Sequence, residues 1–348
     1  MHFFLLMTST DIPVDVQLFQ AYPNILSMVN MRGFDVSNYP PLSYDYIQEQ
    51  KMSGNTIQLS PIPPIVVEEE FPVCFGSSSR EYRELEQKKR DCNDYEFSTE
   101  FMKQYPALVH VANALYDGVS SKQEIEKATV SLMALEKVYK IFARKQLEVH
   151  FHQCFNPENL WGANSRDKRF MNEMHSTITS LEATARDMFA EQVETLENAI
   201  PEHIFAKHQE DLCEELVALF KKRHTYIFLY KTRSKASSTL DQKYEHYCLQ
   251  LIKKHGIFVQ LFNLRRLMFN IIEHEIVPKH EALDLWHDGN EISQIKRVYN
   301  MTDLAKENPV IALSDPVAKF IGLKKGQLCK ITRVNPSSGT YVSYRWCK

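Results

Sequence analysis

Apolar positions in the middle of the chain recur at alternating steps of three and four. They fall at Ile125, Ala128, Leu132, Leu135, Tyr139 and Phe142, then at Met174, Ile178, Leu181, Ala185 and Met188, running on to Leu196. A shorter stripe follows at Leu212, Leu216, Leu219 and Phe220. That spacing gathers the apolar side chains on one side of a helix and predicts a small amphipathic bundle or helical hairpin. Pro201 separates the last two helices, and "CFNPENLWGANS" (154–165) separates the first two. The stripes are read as the core of this bundle, because a long apolar seam left in water is costly.

The flanking regions have other periods. Val14, Leu18, Tyr22, Ile25, Met28 and Val29 predict a helix over 14–31, with Pro23 marking a kink or break and Gly33 a stop. Ser43 is a plausible cap for a short helix in "YPPLSYDYIQEQKM". From Gly54 to Ser79 the chain is rich in Pro and Ser and reads as an extended linker or loop. After the bundle, "TYIFLY" (225–230) predicts a strand, "STLDQKYEHYCLQLIKKHG" (238–256) a helix, and "IFVQLFNLRRLMFNII" (257–272) a second β-like stretch. Strand, helix, strand is the outline of an α/β unit.

The C-terminal stretch predicts one short helix and a hairpin. Asp315 suits the N-cap, Pro316 the first helical position, and Gly322 the left-handed residue after the last turn. "LKKG" is a turn, and "QLCKITRV" and "TYVSYRW" are strands joined through "NPSSG". Such a hairpin is marginal alone and needs something to pack on. Ile292, Ile295, Val298 and Tyr299 predict a further amphipathic helix upstream.

Composition sets limits. The 348 residues leave room for two or three domains, and 44% hydrophobic with 24% charged residues is an ordinary globular balance. Net charge is −3, made of −3 over 1–60, −9 over 61–222 and +9 over 223–348. An acidic middle joined to a basic end suggests modules with different neighbours, although the basic residues are dispersed along the sequence, a weak nucleic-acid signal. Seven cysteines without a CxxC pair argue for a reducing compartment. "MHFFLLM" lacks a basic flank and a cleavage site, so no signal peptide is expected; Met7 is an alternative start. No apolar run approaches the ~20 residues of a membrane span.

Two stretches carry a family resemblance. "FNIIEHEIVPKHEAL" followed by "SDPVAKFIGLKKGQLCKITRVNPSSGTYVSYRW" closely resembles the C-terminal assembly domain of the fifth-subunit family of multisubunit DNA-directed RNA polymerases. The matching positions are Asn270 to His280, Asp315 to Lys319, Gly322 to Gln327, Lys330, Ile331, Arg333, Pro336, Gly339, Tyr341, Tyr344 and Arg345. More weakly, "LFQAYPNILSMVNMRGFDVSNY" and "TYIFLY" resemble the opening helix and a central strand of that family's jaw domain. The resemblance implies an α+β protein. A small α/β jaw (1–54 and 224–270) is interrupted by a helical insertion with a Pro/Ser-rich entry (55–223), and an α+β assembly domain with a β-hairpin follows (271–348). It implies a non-catalytic polymerase subunit that docks on the largest subunit and touches other subunits, with the jaw near downstream DNA. The family's "TPSA"-like loop has no counterpart before Ile257; "SKASS" (234–238) sits elsewhere. The departures suggest a large DNA virus, so the expected location is the nucleus, or a viral factory or virion. The insertion's partner is not identified.

Under this reading Pro278, His280, Lys330, Arg333, Tyr341, Tyr344 and Arg345 are expected at the subunit interface, where Tyr and Arg are favoured anchors. Asp315, Pro316, Gly322 and Gly326 are expected to define the fold. Lys324 and Lys325 are candidates for DNA-phosphate contact, weighed against the preferred reading of a solvated turn. No cofactor, metal or catalytic residue is expected. His150, His152 and Cys154 are too few for a zinc site and read as a polar helix end. Glu273, His274 and Glu275 read as part of a domain junction. The rivals are a free-standing DNA-binding or nuclease-like protein and an adaptor whose insertion recruits a transcription or virion factor. "TYIFLYK" and "IFVQLFNLRR" contain no carboxylate for a nuclease.

Overall fold

The computed structural model describes residues 14–52, 58–65, 103–117, 119, 121–151, 165–230, 238–283, 289–335, 337 and 339–348. The fold is α+β, with two four-stranded sheets. The first contains β1 (Gln58–Ile62), β2 (Gln146–Phe151), β3 (His224–Tyr230) and β4 (Phe258–Asn263), in that order across the sheet. β1 runs antiparallel to β2, whereas β2, β3 and β4 are parallel.

Helices cover both faces of this sheet. Leu147, Val149, Ile227, Leu229 and Phe262 pack towards α1 (Val14–Met31), with Ile47 of α2 (Tyr44–Met52) in the same core. Tyr226, Phe228, Tyr230, Val259 and Leu261 belong to the opposite core. That core is shared with α3 (Pro106–Tyr116), α4 (Lys122–Ala143), α5 (Ser165–Ala199), α6 (Glu202–Arg223) and α7 (Ser238–His255). Burial on both faces explains why β3 reads as an unbroken apolar run and is buried at every position. α1 continues through Pro23, which lies on its exposed side. α4 starts at a reciprocal cap: the Ser121 hydroxyl accepts from the Glu124 N–H, and the Glu124 carboxylate accepts from the Ser121 N–H.

Several elements differ from the sequence reading. The stretch expected as a linker contributes β1, and Phe34 bridges to Pro64 beside it. His150 is not at a helix end but in β2, where apolar Leu147 and Val149 alternate with polar Glu148 and His150. His152 and Cys154 lie outside the described residues, as do most of the Gly54–Ser79 stretch and residues 234–237 of "SKASS". β4 stops at Asn263, whose side-chain oxygen accepts from the Arg265 N–H at 3.1 Å and opens a 3-10 turn over Leu264–Leu267. The helical segment 55–223 shares a sheet with β3 and β4, because β2 pairs with β3 along its length.

The second sheet is smaller. β5 (Lys279–Leu283), β7 (Leu328–Asn335), β8 (Gly339–Cys347) and β6 (Val310–Ile311) follow in that spatial order. One face packs Cys329, Ile331 and Cys347 on α10 (Pro316–Ile321). The other packs Leu283 and Leu328 on Ile292 and Ile295 of α8 (Gly289–Val298), with Leu304 of α9 (Leu304–Glu307). Val298 and Tyr299, expected on that apolar face, are exposed.

Arg32, just after α1, ties the two sheets' units together. Its Nε donates to the Phe320 carbonyl at 3.0 Å and its Nη2 to the Lys319 carbonyl at 2.7 Å. Both acceptors lie in the last turn of α10, where a cation complements the helix dipole. Desolvation pushes the guanidinium down to about 9, so it remains a cation at neutral pH.

Candidate subunit interface

The residues expected at the interface meet on β5, β7 and β8, but not on one surface. Arg333 pairs across the ladder with Tyr341, and His280 with Ile331, on the sheet face that carries α10. Arg345, opposite Cys329, shares that face. Lys330 and Tyr344 pair on the opposite face. There the Lys330 ammonium contacts the Glu291 carboxylate at 2.7 Å and the Tyr344 ring meets Tyr299 edge-on at 6.1 Å. These two side chains tie α8 to its own sheet. The Glu291 contact raises the Lys330 ammonium above its ordinary value. Pro278 and His280 are half-buried, with His280 Nδ1 2.7 Å from the Pro278 carbonyl. Pro336 lies outside the described residues.

The exposed surface is concentrated at the far end of the β7–β8 hairpin. Arg333, Val334, Thr340, Tyr341 and Val342 are exposed there, Val334 by 79% and Tyr341 by 45%. Ile276, ahead of β5, is 84% exposed. Sequence reasoning missed Ile276, Val334 and Val342. Their only signal is an apolar side chain at a position whose neighbours on the same face are polar.

β8 also has an open edge. β6 covers only Trp346 and Cys347, and no described strand pairs with the outer side of Gly339–Arg345. The Trp346 N–H points outward, to the Pro309 carbonyl, while the Cys347 N–H points inward, to Gln327. By the strict alternation of an antiparallel ladder, the backbone groups of Thr340, Val342 and Tyr344 therefore face the open edge. Such a row of unpaired donors and acceptors is a template for an added strand.

The supporting helix and turns are built locally. The Asp315 carboxylate accepts from the N–H groups of Val317 (2.9 Å) and Ala318 (3.1 Å), with Pro316 at the first helical position. Gly322 ends α10 at φ 73°, and Gly326 turns the chain into β7 at φ 86°. Between them Lys324 lies over the Phe258 ring at 5.1 Å, and Lys325 is exposed. Cys329 and Cys347 are buried neighbours; burial pushes their thiols up to about 12 and about 11.

A second polar constellation lies on the first sheet. Glu148 on β2 receives His150 Nε2 at 3.0 Å and His224 Nε2 at 3.1 Å, with Phe228 stacked on the His150 ring and Tyr226 tilted against the His224 ring. Burial alone would raise the Glu148 carboxyl, but hydrogen bonds from His150 and His224, and their charge, outweigh it and hold it down to about 2. Both carboxylate oxygens are thus occupied within the fold. Among the described residues no group of three His, Cys, Asp or Glu is placed to hold a metal ion. No described helix is long and apolar enough to cross a membrane.

Comparison with known proteins coincides with the hairpin unit. The family described as RNA polymerase Rpb5, C-terminal domain, matches residues 269–347. The Dictyostelium discoideum protein named DNA-directed RNA polymerases I, II, and III subunit rpabc1 is 35% identical over 91 residues, covering 26% of this chain and 43% of its own. The Caenorhabditis briggsae and Caenorhabditis elegans RPABC1 proteins are each 38% identical over 79 residues, covering 23% of this chain and 35% of theirs. The chain thus spans less than half the length of the curated relatives it matches. The matched residues contain β5 to β8, the three helices α8, α9 and α10 packed on their sheet, and the open edge of β8, so residues 269–347 form a domain of the family described as RNA polymerase Rpb5, C-terminal domain.

Proposed function

We propose that the chain is a non-catalytic subunit of a DNA-directed RNA polymerase, held on the largest subunit by the open edge of β8 and the exposed hairpin end. The observation that carries this is the coincidence of the family match with an unpaired strand edge flanked by Val334, Tyr341 and Val342. Main-chain bonds along the edge supply affinity, and the alternating side chains supply selectivity. The larger sheet and its helices form the part that lies towards entering DNA, and nucleotide addition occurs in the large subunits. The complex acts in the nucleus, or in a viral factory if the chain is from a large DNA virus. The viral reading is supported by how much of the chain falls outside the segments aligned with its cellular relatives.

The test is co-elution of the full chain with the largest polymerase subunit. Val342→Pro removes one outward N–H without touching the inward bonds to β7. Tyr341→Asp places a charge at the hairpin end. Each is expected to weaken co-elution at least tenfold while the chain stays folded. Undiminished co-elution by both variants, or none by the unaltered chain, would overturn the assignment.

A further inference from the structure

We infer that the crevice where α7 and β4 meet the hairpin unit is a binding site for a small apolar carboxylate that carries one N–H donor. The crevice has a volume of about 250 Å³. Leu249 and Ile252 of α7 line it, with Phe258, Gln260 and Leu261 of β4. The hairpin unit adds Ala312–Ser314, ahead of α10, and the side chains of Lys319, Lys325 and Lys348. Among the described residues no Asp or Glu side chain lines it.

The plain alternative is a gap between two packed units that holds only solvent. Gln260 argues against it. This side chain is 7% exposed, and its Nε2 donates to the Lys319 carbonyl at 3.3 Å. Its Oε1 accepts no hydrogen bond among the described residues. A buried amide oxygen without a donor is destabilising, and a ligand N–H beside it removes that cost. A trapped water needs about two to four polar partners. The side chains around Gln260 are mostly apolar: Leu249, Ile252, Phe258, Leu261 and Leu313. Leu249 is still 37% exposed, so apolar surface remains for an occupant to cover. The volume lies just below the roughly 300–1,000 Å³ of sites for drug-sized ligands, which suits a fused pair of rings and excludes a helix or strand. Lys319 holds its ammonium over the Phe262 ring at 5.0 Å, whereas Lys325 is exposed and supplies the cation for a carboxylate at the mouth. Both units line the crevice, so an occupant stabilises their present arrangement by mass action.

The test is methyl-detected NMR of the full chain, labelled at Leu and Val, titrated with indole-3-propionate as the probe. It uses the chain alone, so its result is independent of assembly into a polymerase. For a ligand of about 14 non-hydrogen atoms the expected Kd is about 1 mM or tighter. Saturable shifts are expected at Leu249, Leu261 and Leu313. 1-Methylindole-3-propionate lacks the N–H and should bind about tenfold more weakly. Tryptamine keeps the ring and the N–H but carries an ammonium in place of the carboxylate, and should bind more weakly still. Gln260→Met should abolish the preference for the parent probe over its methyl derivative, and Lys325→Gln should weaken the parent about threefold. The inference is overturned if those methyls show no saturable shift, if the methylated probe or tryptamine binds the unaltered chain as tightly as the parent, or if a folded Gln260→Met chain keeps the preference. Should Gln260→Met not fold, the three probes on the unaltered chain decide alone.

Discussion

Gly322 and Arg32 should behave as one unit. At φ 73° Gly322 occupies the left-handed region, and a Cβ built there would meet Arg32 Nε at 3.0 Å, Cζ at 3.1 Å and Cδ at 3.2 Å. Gly322→Ala therefore costs about 1 kcal/mol of backbone strain and displaces a guanidinium whose hydrogen bonds are worth about 1.5–3 kcal/mol each. Loss of one bond brings the expected destabilisation to roughly 2.5–4 kcal/mol. Arg32→Ala removes both bonds directly and should cost about 3 kcal/mol or more. The double variant has no guanidinium to displace, so it should be only about 1 kcal/mol worse than Arg32→Ala. Equilibrium urea unfolding followed by far-UV circular dichroism measures all three. If the two single effects add to within about 0.5 kcal/mol, the sites are independent and the steric argument fails.

Three further outcomes follow from the described geometry. The Glu148 carboxyl is held at about 2 in the fold, below its ordinary value, so it contributes stability above the unfolded pKa of about 4.3 that is lost as pH falls through about 2. Glu148→Gln should therefore be less stable near neutrality and flatter between those limits, read from urea midpoints; an unchanged pH profile would refute the pairing. With thiols at about 12 and about 11, Cys329 and Cys347 should resist alkylation at pH 8 in the native chain and react after unfolding. Mass spectrometry of the labelled chain decides this, and rapid native labelling of either would contradict their burial. Lys330→Met should cost no more than about 1 kcal/mol in thermal unfolding, because its partner Glu291 is partly exposed.

The sequence revealed most where local rules and tertiary packing agree. Asp315, Pro316 and Gly322 each suit only one place in a short helix, and α10 is bounded by them. β3 was legible because burial on both faces leaves no polar position within "YIFLY". β2 was not: its alternation spans only a few residues, directly after a long helix, and Glu148 and His150 face inward to satisfy each other and His224. The proline-rich stretch hid β1, an edge strand, where proline is tolerated. The division of Lys330 and Tyr344 from Arg333 and Tyr341 follows from the period of two along each strand, and only their partners across the ladder depend on register.

The pairing of β2 with β3 also bears on which deletions this chain can tolerate. A domain appended through a linker can be lost without harm to its host, but the segment 55–223 contributes β1 and β2 to the sheet that holds β3 and β4. Cutting it away would strip β3 of a neighbour and bare an apolar edge prone to self-association.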